Sequence, residues 1–188
     1  MKKLTTILLC FLVSGTILQA QEKLNINTET STIKWYGYYT FYFGGHEGFI
    51  DFDNGFLVKS NGKISGGEFK ININSITSTD LEKGSTGNIN LVDHLKNEDF
   101  FEVQEFPYAY LKITKVDYHD KVSARIEADF TIKGITKPIN FQATFDYDKK
   151  EMKTRFKIDR QDWGIDYKSK FKDSAISDAV GFEVTIKL

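Results

Sequence analysis

Apolar and polar residues alternate along most of the chain. The run from Gly181 to Leu188 places Phe182 and every second residue after it on one face, and the run from Ile139 to Tyr147 repeats the pattern. Shorter alternating runs contain Ile33 and Trp35; Phe69, Ile71 and Ile73; Ala109, Leu111 and Ile113; Phe130 and Ile132; and Phe156 and Ile158. One apolar and one polar face is typical of antiparallel strands. The pattern predicts an all-β protein.

Turn signals rich in glycine, asparagine and charged residues separate these runs. They stand at Asp53 to Gly55, Ser60 to Gly62, Ser65 to Gly67, Lys133 to Gly134 and Asp148 to Lys150. About eight short strands at this spacing, with no long helical pattern, predict a sandwich or a closed barrel in a single domain. Periodicity alone does not decide between these two architectures.

One segment departs from the period of two. Leu91 and Leu95 are four residues apart, which is the spacing of one helical face, and Asn90 precedes them with Asp93 three residues later. Because this order resembles a weak capping box, we expect a short helix over residues 91–97, preceded by a flexible loop from Gly84 to Gly87.

The first twenty residues have the composition of a secretory signal peptide. Lys2 and Lys3 form a positive start, residues 7–13 are apolar, and Ala20 offers a small residue before the cut. The apolar stretch is shorter than the roughly 20 residues that a spanning helix needs. We therefore expect residues 1–20 to be removed, residues 21–188 to form the mature domain, and the protein to be periplasmic or secreted without a transmembrane anchor.

Cleavage after Ala20 would also remove Cys10, the single cysteine, and leave 23 basic against 26 acidic residues, a net charge of −3. This balance gives no overall attraction for nucleic acid or for an anionic membrane. A mature chain without cysteine has neither a disulfide nor a thiolate metal site, so its stability must come from its core. No metal site or cofactor is expected. The sequence does not decide whether the protein is a monomer or a homodimer.

No catalytic constellation is recognisable among the polar residues. His119 reads as part of a hairpin tip and His94 as a surface or capping group on the short helix, while His46 lies among glycines and aromatics at the best polar position for a cavity mouth. Asp51 and Asp53 share the face opposite Ile50 and Phe52, which predicts exposure to solvent. The sequence lacks a nucleophile, base and oxyanion arrangement, so an enzyme is weakly supported.

Two further features allow a structural and a functional interpretation. Arg160 and Asp162 would form an ion pair that closes one end of the sheet, which we favour, or Arg160 would anchor a polar head group. Six aromatic residues crowd between Tyr36 and Phe43, and Phe100, Phe101 and Phe106 follow the helix. Such side chains either fill a core or line a ligand cavity, and composition does not separate the two.

At this point the sequence resembles the YceI-like polyisoprenoid-binding proteins. The matching stretches, in chain order, are His46 with Gly48; Gly66, Gly67 and Phe69; Ile73 to Ile76 with Asp80; His94 to Val103; Phe106, Pro107 and Ala109; Phe130 to Ile139; Asp159, Arg160 and Trp163 to Ile165; and Ile176 to Asp178. The blocks at 94–103 and 130–139 are the specific ones. The resemblance covers nearly all of the expected mature chain.

The resemblance implies an eight-stranded antiparallel, lipocalin-like barrel, capped by a helix, that holds a polyisoprenoid or similar long-chain lipid without catalysis. The tunnel-lining residues expected from alternation and resemblance are Trp35, Phe43, Phe69, Ile71, Ile73, Leu95, Phe100, Phe101, Leu111, Phe130, Ile132, Phe141, Phe145, Trp163, Phe182 and Val184. His46 and Arg160 are the head-group candidates. Two alternatives stay open: an enzyme of isoprenoid, quinone or lipid metabolism that uses His46 with Asp51 or Asp93, and a ligand-free structural or stress-response barrel.

Overall fold

The computed structural model describes residues 21–40, 43–168 and 176–188. Within these residues the chain forms nine strands and one α-helix. The strands are β1 Glu22–Asn25, β2 Thr32–Tyr39, β3 Gly45–Ser60, β4 Lys63–Asn72, β5 Tyr108–Tyr118, β6 Ser123–Ile132, β7 Ile135–Asp146, β8 Glu151–Asp159 and β9 Ile176–Lys187; the helix is α1 Thr86–Lys96. Two 3-10 helices follow β4 and β8, at Ile73–Ser75 and Arg160–Trp163.

Eight of the strands, β2 to β9, form a closed antiparallel barrel. Sequential strands pair from β2 to β3 and from β3 through β9, and β9 returns to pair with β2. The barrel interpretation is therefore confirmed, and the sandwich alternative is wrong. The short β1 is an additional strand that pairs with residues 56–59 of β3.

The ring closes because β3 is long enough to change partners. Residues 45–50 of β3 pair with β2, and residues 51–60 pair with β4. A bulge at Asp53 lies just after this change. Bulges bend a strand and increase its twist, which lets one 16-residue strand turn from one side of the barrel to the next.

Three of the five predicted turns lie between strands. Asn61 with Gly62, Lys133 with Gly134, and the residues around Lys149 connect β3 to β4, β6 to β7 and β7 to β8. The signals at 53–55 and 65–67 are instead inside β3 and β4.

Gly55 lies inside β3, and not in a turn, because the neighbouring strand approaches it closely. A Cβ there would lie 2.6 Å from the ring carbon Cδ1 of Phe69, a residue of β4, so the glycine makes room for a core aromatic. A glycine in a β-strand often marks such a contact between neighbours.

The helix begins five residues earlier than the apolar spacing predicts. It spans Thr86–Lys96, and the N-cap is Ser85, whose hydroxyl accepts a hydrogen bond from the backbone N–H of Asn88 at 3.2 Å. The first turn contains no buried apolar side chain, so the periodicity that we used does not report it. Gly87, expected in a loop, lies in this first turn.

The alternation of apolar and polar residues correctly predicts which residues of the strands are buried in the core. Phe141, Ala143 and Phe145 of β7 are buried, whereas Gln142 and Thr144 between them are exposed. Ile73 is also buried, although it lies in the 3-10 helix after β4 rather than in the strand that the pattern predicts. None of the helices that the structure describes is long and apolar enough to cross a membrane.

Candidate functional site

Two apolar cavities lie one after the other inside the barrel. The first has a volume of about 260 Å³ and is enclosed by the inner faces of β2, β3 and β9 together with helix α1. The second, of about 60 Å³, receives side chains from every strand of the barrel. Ile50, Phe101 and Phe182 line both cavities and so stand between them. The barrel interior is therefore only partly filled.

The first cavity reaches the protein surface at a polar rim. Leu91, His94 and Leu95 of α1 form one side of its wall, and Tyr39 and His46 lie on the hairpin of β2 and β3. The side chains of His46 and His94 are 30% and 32% exposed. An apolar cavity with a few polar groups at one end is the usual form of a small-molecule site.

Most of the residues expected to line a tunnel lie on these cavities. Trp35, Leu95 and Phe100 line the first, and Phe101 and Phe182 line both. The second is lined by Phe69, Ile71, Ile73, Leu111, Phe130, Ile132, Phe141 and Val184. The inward positions of the strands and the residues that follow the helix thus meet in one interior.

Three of the expected lining residues lie elsewhere. Phe43 is fully exposed beside the β2–β3 turn, because it is beyond the last paired residues of the hairpin. Phe145 packs at the opposite end of the barrel, against Tyr118 and Tyr147. Trp163 is 1% exposed in the second 3-10 helix, outside both cavities, and its indole N–H donates to the carbonyl of Phe130 at 3.1 Å.

His46 takes part in a series of hydrogen bonds on the wall of the first cavity. Its Nδ1 lies 2.7 Å from Oδ2 of Asp80, and its Nε2 lies 3.0 Å from the hydroxyl of Tyr39. The other carboxylate oxygen of Asp80 accepts hydrogen bonds from the Glu47 backbone N–H at 3.0 Å and the Ser78 hydroxyl at 2.9 Å. The partner of His46 is therefore Asp80, rather than the Asp51 or Asp93 of the enzyme alternative; both of these are exposed.

The ionisation of Asp80 follows from these contacts. Partial burial opposes the charged form of Asp80, but the hydrogen bonds from His46, Glu47 and Ser78 outweigh it, so the pKa of Asp80 lies below its ordinary value. Hydrogen bonds to a carboxylate favour its charged form. Asp80 is therefore an anion at neutral pH.

The segment from Ile76 to Asp80 is positioned by the free edge of β3. The backbone N–H groups of Thr77 and Thr79 donate to the carbonyls of Phe49 and Glu47 at 2.9 and 2.8 Å. The segment therefore covers the part of β3 that β4 does not pair with. This pairing places the Asp80 carboxylate beside His46.

His94 is part of the cavity wall rather than a surface or capping group as the sequence suggested. Its ring packs edge-on against Phe100 and Tyr167, with centroid distances of 5.0 and 4.6 Å. Its Nε2 lies 3.1 Å from Oδ2 of Asp99. His119, in contrast, is exposed at the β5–β6 turn, as predicted.

Arg160 lines the first cavity, but its guanidinium is held by hydrogen bonds to neighbouring segments of the chain. It is 3% exposed, and its Nη2 lies 2.8 Å from Asp178 at the start of β9. Its Nη1 donates to the carbonyl of Ile165 and its Nε to that of Ser177. The expected pair with Asp162 is wrong, because residues 160–163 form a 3-10 helix in which Asp162 points to solvent.

Sequence and structure comparisons agree with this architecture. The profile of the YceI-like domain matches residues 23–188. The chain belongs to the YceI family. Among curated members, a UPF0312 protein of Pseudomonas putida strain W619 is 26% identical over 142 residues, which are 74% of this chain and 69% of the relative. A UPF0312 protein of Shewanella denitrificans is 30% identical over 97 residues, half of this chain and 46% of the relative.

Solved structures share the fold at low sequence identity. The crystal structure of BcnA from Burkholderia cenocepacia aligns with a TM-score of 0.69 and 15% identity, over 86% of this chain and 98% of that one. A YceI protein of Campylobacter jejuni aligns with a TM-score of 0.51 and 21% identity, over 81% and 84% of the two chains. Membership in the YceI family is consistent with a binding protein.

Sequence reasoning missed several YceI cavity residues. Tyr39 was only one member of the aromatic run, and Asp80 appeared only within the family resemblance. The cavity also includes Ile50, Leu91, Ile165, Tyr167, Ile176 and Val180. No spacing rule connects residues 39, 46 and 80, because their contact depends on which strands become neighbours. The part of the chain that the structure describes shows no cluster of acidic, histidine or cysteine side chains arranged for a metal ion.

Proposed function

We propose that this protein is an exported carrier that holds a polyisoprenoid or similar long-chain amphiphile in the apolar cavities of its barrel. The observation that carries the proposal is the pair of adjoining cavities, of about 260 and 60 Å³, with a polar rim at one end. An amphiphile fits this arrangement because its tail would occupy apolar space while its head group stays at the rim. The proposal leaves the oligomeric state open, and a homodimer is one of the forms to be tested.

The driving force would be the removal of the tail from water. Each buried methylene contributes about 0.8 kcal/mol, so a tail of several isoprene units gains enough to bind tightly. Apolar walls discriminate tails that differ by a single methylene by only about 1–3 kcal/mol. We therefore expect selection by tail length and head group rather than by fine tail structure.

The size of the cavities sets a limit on the tail. Small-molecule pockets typically have about 300–1,000 Å³, and the first cavity is slightly smaller than this range. A long tail would have to move the side chains of Phe101 and Phe182 and enter the second cavity, or extend from the rim into solvent.

The direct test is native mass spectrometry of the protein expressed with its first twenty residues and purified without detergent. Solvent extraction of the same sample then identifies the lipid. We expect a bound amphiphile, a mature chain that begins near Gln21, and an assembly mass that distinguishes a monomer from a homodimer. A bare chain mass under gentle conditions, after expression in a host rich in prenyl lipids, would contradict the binding proposal and favour a ligand-free barrel.

A pair of matched variants makes this test specific. Leu91 of α1 faces the first cavity, whereas Ile89 on the same helix is 49% exposed. Leu91→Trp should fill the cavity and abolish the bound mass, and Ile89→Trp should retain it. Equal retention by both folded variants would place the lipid outside the first cavity.

A further inference from the structure

The hydrogen bonds between Asp80, His46 and Tyr39 fix which atoms carry protons. A carboxylate accepts hydrogen bonds and has none to donate, so the nitrogen of His46 that lies 2.7 Å from Asp80 must carry the proton. The Asp80 carboxylate cannot rotate away from His46, because its other oxygen accepts hydrogen bonds from Glu47 and Ser78. In the neutral form of the ring, its one proton is therefore on Nδ1.

The direction of the next hydrogen bond follows from this assignment. A neutral imidazole carries one proton, so Nε2 of His46 is an acceptor, and the Tyr39 hydroxyl at 3.0 Å donates to it. This bond uses the only proton of the phenol. The Tyr39 oxygen keeps its lone pairs, and both Tyr39 and His46 line the first cavity. The polar group that this series presents to a ligand is thus an acceptor.

We propose that the Tyr39 oxygen binds a head group that donates a hydrogen bond, and so selects long-chain lipids that end in an alcohol or phenol over those that end in an ether, ester or carbonyl. This inference rests on the proposed function and specifies its ligand class. A ligand with only acceptor atoms would leave two sets of lone pairs facing each other without a proton, which costs the hydration of both.

Neighbouring side chains support a neutral head group at this position. Asp80 stands behind His46 as a fixed anion, which disfavours a second anion beside Tyr39. The guanidinium of Arg160, which also lines the cavity, is engaged by Asp178 and by the carbonyls of Ile165 and Ser177. The imidazole of His94 is engaged by Asp99.

The test compares farnesol with farnesyl methyl ether, whose tails are identical but of which only the alcohol donates a hydrogen bond. Binding to the wild-type barrel is followed at pH 7.5 by the change in tryptophan fluorescence, because Trp35 lines the cavity and the second tryptophan, Trp163, lies outside both cavities. We expect farnesol to bind about fivefold more tightly than the ether, the effect of one ordinary hydrogen bond. In Tyr39→Phe the alcohol should lose this advantage, and the ether should bind at least as tightly as to wild type, because the unpaired phenol oxygen is gone.

Tyr36→Phe is the matched control. Tyr36 lies on the same strand, but its hydroxyl donates to Glu183 at 3.2 Å and it lines neither cavity. This variant should keep the wild-type ratio of the two affinities. Because the ratio is compared across variants, the extra methyl of the ether cancels.

The outcomes separate this inference from the proposal on which it rests. If neither compound binds the wild-type protein or displaces a bound lipid, both proposals fail. If both bind and Tyr39→Phe leaves the ratio of their affinities unchanged, the barrel is a lipid binder but Tyr39 does not select the head group, and the inference is overturned.

Discussion

At the scale of single residues, the Asp80 carboxylate has three hydrogen-bond partners beside the cavity rim. It accepts hydrogen bonds from His46, Glu47 and Ser78. We predict that Asp80→Asn lowers the free energy of unfolding at pH 7 by about 1–3 kcal/mol, because the amide replaces a charged acceptor and cannot satisfy all three donors as well. Urea denaturation followed by circular dichroism measures this loss.

The pH dependence of this loss has a definite sign. Because the pKa of Asp80 is lower in the folded protein than in the unfolded chain, its contribution is fully present above the unfolded value of about 3.9 and disappears as the pH falls through the folded value. The difference in the free energy of unfolding between wild type and Asp80→Asn should therefore become smaller below about pH 4. Asp51→Asn is the control, since Asp51 is exposed on β3, the strand with which the segment 76–80 pairs. A difference that stays constant with pH would show that the charge of Asp80 is not the cause.

Arg160 offers a second prediction at this scale. The arginine joins the 3-10 helix after β8 to the start of β9 through Asp178 and two backbone carbonyls. Arg160→Met should lower the free energy of unfolding by about 2–4 kcal/mol, because it leaves buried acceptors without donors. Arg155→Met should change the free energy of unfolding far less, since Arg155 is exposed and its ion pair with Glu183 is a surface pair. If Arg160→Met kept full stability but lost lipid binding, Arg160 would be a head-group ligand instead of a structural tie.

At the scale of elements, the approach of the segment 76–80 to β3 depends on one glycine. A Cβ on Gly48 would lie 1.8 Å from the carbonyl oxygen of Thr77, which also accepts the indole N–H of Trp35 at 2.9 Å. Backbone at this distance cannot move aside without breaking the edge pairing. The glycine therefore allows the contact that brings Asp80 to His46.

We predict that Gly48→Ala destabilises the barrel by about 2–3 kcal/mol or more and displaces the segment 76–80. Gly66→Ala is a matched control on β4, because a Cβ there would find its nearest neighbour, Val58, at an ordinary 3.8 Å. Thermal melts of the two variants measure the difference, and hydrogen exchange of the Thr77 and Thr79 amides reports the segment directly. Equal melting temperatures for the two variants would contradict this account.

The turns between strands show where the local sequence is sufficient to predict the structure. The two-residue turns at 61–62 and 133–134 were predicted correctly, because a hairpin turn is decided by its own residues. The glycines at 55 and 67 carry the same composition but lie inside strands, because they serve contacts with neighbouring strands. Local composition alone does not distinguish these two uses of glycine.

At the scale of the whole molecule, the unfilled interior decides how the barrel responds to a larger side chain. Phe141 is 6% exposed, lines the second cavity and stacks on Phe156 with a centroid distance of 4.8 Å. We predict that Phe141→Trp keeps the barrel folded, because the indole enters the second cavity, and that it shortens the tail that the protein accepts. Geranylgeraniol should bind about tenfold more weakly than to wild type, and the shorter geraniol should be little affected.

Asn140→Trp, on the exposed face of the same strand, should leave both stability and lipid binding unchanged. A filled core would respond differently, since overpacking costs about 1–3 kcal/mol of stability. If Phe141→Trp strongly destabilised the fold and left lipid binding unchanged, the tail would lie only in the first cavity.

The sequence by itself determined the class of the fold and the sidedness of its strands. Alternation reports which face of a strand is apolar, and that face is inward in β7 and β9 as it would be in any sheet with one covered side. It also placed most of the cavity residues, because a partly filled barrel and a packed core use the same inward positions. The family followed from blocks such as His94 to Val103, and the profile match confirms it.

Only the tertiary structure decided which residues meet. His46 and Asp80 are 34 residues apart, and Arg160 and Asp178 are 18 apart, so neither pair leaves a local pattern. Closure of the ring depends on the change of partners along β3, and the cavities depend on the volume that eight inward faces and one helix leave unfilled. Strand periodicity contains the direction of each side chain but not the identity of its neighbours, and these contacts depend on the neighbours.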